Sequence, residues 1–159
     1  MANFEIERKF LVKDMSFIQQ AVHHYSICQG YIAHENGRTV RIRIRDDEGF
    51  LTIKGPSING ISRYEWEKQV PLEDARELFL LCQGGKIEKT RYIIPAANGR
   101  KFEVDVFAGD NEGLVMAEIE LGSESETFEK PSWIGDEVTG DRRFYNSHLL
   151  TYPYKEWGK

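Results

Sequence analysis

The chain has 159 residues, 40% of them hydrophobic and 30% charged, which fits one globular domain over 1–159 and excludes collagen-like or disordered sequence. Acids outnumber bases 26 to 21, for a net charge of −5; that argues against binding nucleic acid in general while leaving room for a local basic pocket. The longest apolar runs, such as Leu78 to Cys82, fall far short of the roughly 20 residues of a membrane span. Met1 to Glu5 also lacks the basic and apolar stretches of a secretory leader, so a cytoplasmic protein with no membrane contact is expected.

Taken in chain order, short segments alternate charged and apolar residues with period 2, the signature of a strand whose two faces differ. They are Phe4–Phe10, Tyr25–Ala33, Val40–Arg45, Leu51–Lys54, Tyr64–Glu67, Lys89–Tyr92, Phe102–Val106 and Ala117–Leu121. Turn-forming pieces separate them, among them Glu35-Asn36-Gly37, Asp46-Asp47-Glu48-Gly49, Asn98-Gly99 and Asn111-Glu112-Gly113, as expected of antiparallel hairpins. Helical patterns are few. One runs from Leu72 to Cys82, with acids in its first turn and Gly84-Gly85 after its end; a short one is expected over Glu124–Lys130, and another from Arg142 to about Leu150, capped by Asp141. The fold class predicted is α+β: an antiparallel sheet or barrel of about eight strands with a few helices.

The charges on these strands lie in phase. Glu5 and Glu7, Glu65 and Glu67, Glu103 and Asp105, and Glu118 and Glu120 form acid pairs, while Arg41 and Arg43, and Lys89 and Arg91, form base pairs. Lys9, Lys54 and Arg45 share the same phase. A sheet with one solvated face gives such a pattern. A closed barrel with a charged interior gives it too, and that interior then needs partners, because unpaired buried charge is costly. A polyanion together with divalent cations satisfies both signs: arginine and lysine take phosphate oxygens, and carboxylates take Mg²⁺ or Mn²⁺. Gly84-Gly85-Lys86 is only a fragment of a phosphate loop. His23, His24, His34 and His148 lack metal-ligand spacing. Cys28 and Cys82 read as buried small hydrophobes in a reducing compartment.

The opening Glu5-Ile6-Glu7-Arg8-Lys9 resembles the signature of the CYTH superfamily, the triphosphate tunnel metalloenzymes. The later motifs follow in the family's order: Arg41-x-Arg43, Lys54, Glu65-x-Glu67, Lys89-x-Arg91, Glu103-x-Asp105 and Glu118-x-Glu120. Trp133–Thr139 and Arg142-Arg143-Phe144-Tyr145-Asn146 look like the family's closing segment. The resemblance implies an eight-stranded barrel and Mg²⁺- or Mn²⁺-dependent chemistry on a triphosphate. It implies that Glu5, Glu7, Glu118 and Glu120 are the main metal ligands, assisted by Glu103 and Asp105. Lys9, Arg41, Arg43, Lys54, Lys89 and Arg91 would cradle the triphosphate. Glu65 and Glu67 stand as partners holding the bases or as outer metal ligands, and both roles remain open. Tyr31 matches a tyrosine that pairs with the signature lysine in proton handling, which would make Lys9 and Tyr31 catalytic; packing at a strand end is the alternative. Arg45 is expected at the tunnel mouth or in a salt bridge, and Trp66 and Trp133 are expected to pack on the outside.

The activity expected is a metal-dependent tripolyphosphatase. An adenylate cyclase, or a hydrolase of thiamine triphosphate or ATP, is the alternative within the family, and a non-catalytic polyphosphate- or nucleotide-binding protein is the alternative outside it. The partner expected is a small triphosphate (PPPi, ATP or thiamine triphosphate) and not a nucleic acid, with a homodimer left open.

Overall fold

The computed structural model describes residues 4–157; Met1 to Asn3, part of the stretch read as lacking a leader, lie outside the described residues. The strands are β1 (Phe4–Val12), β2 (His23–Glu35), β3 (Arg38–Arg45), β4 (Glu48–Lys54), β5 (Ser62–Val70), β6 (Gln83–Pro95), β7 (Lys101–Phe107), β8 (Val115–Glu120) and β9 (Ile134–Glu137). Hydrogen bonding runs β5-β4-β3-β2-β6-β7-β8-β1. Phe4↔Tyr64 and Ile6↔Ser62 then join β1 back to β5. All these pairings are antiparallel, so the sheet closes into an eight-stranded barrel. Closure leaves the barrel no free edge along these strands and gives every inward-facing residue a neighbour across the lumen.

The hairpins turn where the sequence supplies residues that tolerate positive φ. Asn36 and Gly37, at φ 53° and 80°, form the two-residue turn between β2 and β3 that follows the strand twist, and Asn98 and Gly99, at 62° and 74°, lie in the longer loop between β6 and β7. Strand β9 was not expected. Its four residues carry no alternation, and it pairs with the far end of β1 through Phe10↔Glu137 and Val12↔Ile134.

Two of the expected helices are corrected. Residues 124–130 form no helix, because their side chains bond to other parts of the chain. The Glu124 carboxylate accepts from Asn59 and Ser62, Glu126 accepts from the Gly122 amide, and Phe128 packs against Phe10 and Phe102. The C-terminal helix is broken. Asp141 does cap its start, accepting from the Arg143 amide at 3.1 Å, but Tyr145 is extended (φ −70°, ψ 133°) and leaves a one-turn 3-10 piece before α2 (Asn146–Leu149). The first helix, α1, covers Leu72–Phe79 and tails off through i→i−3 bonds at Leu80, Leu81 and Cys82.

Most of the hydrophobic core lies outside the barrel. Phe17 from a short 3-10 helix (Met15–Gln20) and Trp133 from the C-terminal stretch cover Phe102, Val104, Ala117 and Ile119 on the barrel's outer wall. Trp133 is fully buried among Phe17 and Phe102, as expected. A second cluster closes one end: Leu11, Ile87, Phe107 and Met116 pack against Phe144 and Leu149. Cys28 and Cys82 are only half-buried free thiols, both pushed up by burial, and the sulfur of Cys82 fills the space left by the missing side chain of Gly30. Among the described residues no helix is long and apolar enough to cross a membrane.

Helix α1 lies on the outer wall through Ala75, which is fully buried. A Cβ at Gly49 of β4 would come within 2.5 Å of the Ala75 Cβ and 3.2 Å of the Val70 carbonyl. Gly49→Ala is therefore expected to cost about 1–3 kcal/mol of stability by overpacking, read as a lower urea midpoint with an unchanged m-value.

Candidate active site

The inward phase of the strands encloses a cavity of about 250 Å³. Lys9, Arg41, Arg43, Lys54, Lys89 and Arg91 all line it. So do Glu5, Glu7, Glu103, Glu118 and Glu120, as well as Glu65, Glu67 and Tyr31. The in-phase charges therefore meet inside the barrel and do not form a solvated outer face. Asp105 stands apart from the lining. It lies just behind the wall, 2% exposed, and is engaged by both neighbouring bases: Arg91 in a two-pronged pair at 2.8 and 2.9 Å, and Lys89 at 2.7 Å. Its oxygens are thus committed to cations of the protein.

Adjacent inward positions on β2, β3 and β6 create crowding among the bases. Burial, then the nearby Arg41 and Arg91, push Arg43 down to about 9. Its Nε donates to the neutral amide of Gln29 at 2.7 Å. Burial also lowers Lys89, to about 7; Asp105 opposes that shift, while Arg91 and Arg43 add to it. On Asp105, burial is outweighed by Arg91 and Lys89, which hold the carboxyl well below the usual range. Burial is the main cause on Lys89, and the one carboxylate it shares with Arg91 does not offset burial together with the two guanidiniums that Lys89 also faces. Arg41 is 8% exposed; its Nη2 donates to Thr52 and pairs with Glu67, while its buried Nε finds no acceptor among the described residues.

The acids crowd in the same way. Burial and then Glu7 raise Glu118. Glu120, at the open edge, is pushed up to about 7 by burial and then by Glu5, Glu65, Glu7 and Glu103. Lys9 goes the other way: burial would lower it, but Glu7, Glu118 and Glu5 outweigh burial and keep it charged. Lys54 binds Glu5 at 2.8 and 3.1 Å and Glu65 at 3.5 Å. Glu65 and Glu67 are thus seen holding bases. Among the described residues no three acid, histidine or cysteine side chains converge as a ready coordination sphere. The donors are nevertheless all carboxylate oxygens in mutual repulsion, a set that fits a hard divalent cation and not a thiolate- or imidazole-bound metal.

Several wall residues were not anticipated. Arg63 and Lys101 share the inward phase of β5 and β7 with Glu65 and Glu103, so period 2 could have found them. Tyr145, Asn146 and Ser147 also line the cavity, but they lie where the chain is not a strand and no periodicity marks them. The ring set against Lys9 is that of Tyr145, with the ammonium 4.8 Å from its centre. The Tyr31 hydroxyl instead accepts from Gln29 at 3.4 Å. Asn146 accepts from Lys89 at 2.9 Å and from Gln29 at 3.2 Å, tying the C-terminal segment to β6 and β2. Arg45 pairs with Glu48 at 3.2 Å and stacks over Tyr25 and Phe50.

A family model described as CYTH domain matches residues 3–145. An inorganic triphosphatase of Acetivibrio thermocellus is 46% identical over 154 residues, covering 96% of this chain and 97% of its own. An inorganic triphosphatase of Nitrosomonas europaea is 39% identical over 153 residues, covering 94% and 99%. A crystal structure of the inorganic triphosphatase NE1496 superposes with a TM-score of 0.66 at 35% identity, over 92% of this chain and 93% of the other.

Two substitutions of inward-phase acids should have opposite effects on stability. Asp105→Asn leaves Lys89 and Arg91 buried without their counter-charge and should cost about 3–5 kcal/mol. Glu120→Gln removes a charge that the fold disfavours. The carboxyl rises from its ordinary 4.5 to about 7, so the folded state holds a proton that the unfolded chain releases. The stability from this group is complete below about 4.5 and is lost as pH rises through about 7. Metal-free Glu120→Gln should therefore melt above the parent at pH 8, with the gap closing at pH 5. Thermal melts at the two pH values check this.

Proposed function

The chain belongs to the CYTH family, whose triphosphate tunnel metalloenzymes are metal-dependent, and on that premise we propose that it is an inorganic triphosphatase. In this reading a single domain over 1–159, acting in the cytoplasm, cleaves the terminal phosphate of PPPi inside the barrel. The observation that carries the reading is Arg43: a half-buried guanidinium on the cavity wall beside Arg41, Lys89 and Arg91, bonded through its Nε to the neutral amide of Gln29 and to no carboxylate in hydrogen-bond reach among the described residues. Positive charge of this kind is relieved by a multivalent anion with oxygens on several sides. The naming of both curated relatives as inorganic triphosphatases supports PPPi as that anion.

Each side chain then has a distinct task. Arg41, Arg43 and Arg91 hold phosphate oxygens through their forks, and Lys9 and Lys54 add point charge. The unmatched Arg41 Nε is a donor awaiting such an oxygen. Asp105, Glu65 and Glu67 orient these bases, so Asp105 acts as a positioning group and is not a metal ligand. Glu5, Glu7, Glu118 and Glu120, with Glu103 beside them, would hold Mg²⁺ or Mn²⁺, which when bound neutralises phosphate charge and acidifies the attacking water. Lys89, paired with Asp105 at 2.7 Å and donating to Asn146, adds point charge beside Arg91, and Lys9, which the surrounding carboxylates keep charged, is with Tyr31 the group that handles protons. Tyr31 directs its hydroxyl proton to the substrate. The bases stay fixed on a closed barrel, so the charge-stabilising groups need little reorganisation during the reaction.

The test is phosphate release from PPPi, ATP and thiamine triphosphate with Mg²⁺ or Mn²⁺. PPPi should be preferred, and excess EDTA should abolish turnover. Pyrophosphate released from ATP would indicate a cyclase instead, and undiminished turnover in EDTA would remove the metal role. Arg41→Ala should lower kcat/KM on all three substrates by about tenfold to a hundredfold, the worth of one charge-assisted contact. Arg41→Lys should recover only part of the loss, and a kcat/KM within about twofold of the parent would reject Arg41 as a phosphate ligand.

A further inference from the structure

A second chamber, of about 640 Å³, adjoins the charged cavity, and Thr39, Arg63, Tyr145 and Ser147 line both. Its other walls come from the Asn36-Gly37 turn, the loop carrying Pro56 and Ser57, and the C-terminal segment carrying Gly140, Arg142 and His148. The strand register places it at one end of the barrel. Thr39 pairs with Lys54 at that end of β3, and the Arg45–Glu48 pair lies at the other. The two spaces differ in charge: acids and bases alternate around the first, whereas the second carries Arg63, Arg142, His34 and His148 and no aspartate or glutamate in its lining.

Several of these groups have hydrogen-bonding capacity to spare. Arg63 donates its Nε to the Gly55 carbonyl at 3.0 Å and one Nη to the Gly37 carbonyl at 2.9 Å, which fixes the guanidinium between two loops. His148 Nδ1 is buried and has no hydrogen-bond partner among the described residues. The His34 and His148 rings lie 5.9 Å apart. Burial lowers His34, and His148 and Arg63 lower it further, as expected where the local potential is positive. Thr39, Ser57 and Ser147 add neutral hydroxyls to the walls. Walls of donors and cations with no acid select an oxyanion.

We propose that this chamber is a second phosphate site, holding a phosphate group that is not one of the three in the charged cavity. The group is either the orthophosphate released by hydrolysis or the terminal unit of a longer condensed phosphate. The inference rests on the reading of the charged cavity as the triphosphate site. Two pockets that meet at Thr39, Arg63, Tyr145 and Ser147 would let one phosphate sit next to the reacting chain without entering the acid-lined end.

The test uses the full chain and the double variant Arg142→Ser/His34→Asn. Neither residue contacts the charged cavity, and Arg142 is exposed, so the variant is expected to fold. Calorimetric titration of orthophosphate into the metal-free parent should show a second orthophosphate bound per chain, and the double variant should lose it. In kinetics, the variant should keep kcat/KM for PPPi within about twofold while the inhibition constant of orthophosphate rises about tenfold or more. A rise in KM for linear tetraphosphate with orthophosphate binding unchanged identifies the chain end as the occupant, which also upholds the site. Equal orthophosphate stoichiometry in both proteins with unchanged tetraphosphate kinetics overturns it, and so does a parallel loss on PPPi. Should the parent fail to hydrolyse PPPi, the reading of the charged cavity falls, and the calorimetric comparison still decides the chamber.

Discussion

The buried carboxylate of Asp105, shared between Lys89 and Arg91, makes the rest of the interior possible. A closed barrel turns alternate residues of every strand inward, and here those residues are charged. Like charges two residues apart on β6 are tolerable only because β7 supplies an acid in register, with Arg91 opposite Asp105. That single carboxylate serves two cations, so it cannot also neutralise Arg43 across β2. The fold is left with positive charge that only an external anion can balance. The acids of β1 and β8 show the same imbalance with opposite sign: Glu7 faces Glu120 directly, and Lys9 faces Glu118. Excess of both signs in one small lumen is the physical reason to expect a polyanion and a cation to enter together.

The outer packing supports this arrangement. Phe17, Phe102 and Trp133 hold the wall of β6, β7, β8 and β1 from outside, so apolar burial and charge use opposite faces of the same strands. Stability and function are thereby largely separated, and an inward acid that holds no buried base, such as Glu120, can be removed without disturbing the core. Buried ion pairs contribute little net stability because desolvation offsets attraction. Their value here is geometric: they fix the direction of each base before any ligand arrives.

The barrel was legible in the sequence because period-2 alternation is strong where one face is charged and the other apolar; all eight expected strands form, each somewhat longer than its most regular stretch. The same phase identified the cavity lining. It could not show that Asp105, two residues along from Glu103 and so in the same phase, turns to hold two bases, since direction within a face depends on the neighbouring strand. Nor could it reveal Tyr145 and Asn146, which reach the cavity from a segment broken at an extended tyrosine. Residues 124–130 have a helical composition, but their side chains are drawn into bonds with Asn59 and Ser62, far away in sequence, and such tertiary pull is invisible to local propensity.

The central claim is that the charged lumen of the barrel takes a triphosphate with its metal. The most direct measurement is a crystal structure of the protein grown with PPPi and a divalent cation under non-hydrolysing conditions. The account predicts phosphate oxygens in hydrogen-bond contact with Arg41, Arg43 and Arg91, and the cation on oxygens from Glu5, Glu7, Glu118 or Glu120. A triphosphate bound on the barrel's exterior, with the Arg43 guanidinium still facing only Gln29 and its fellow bases, would contradict it.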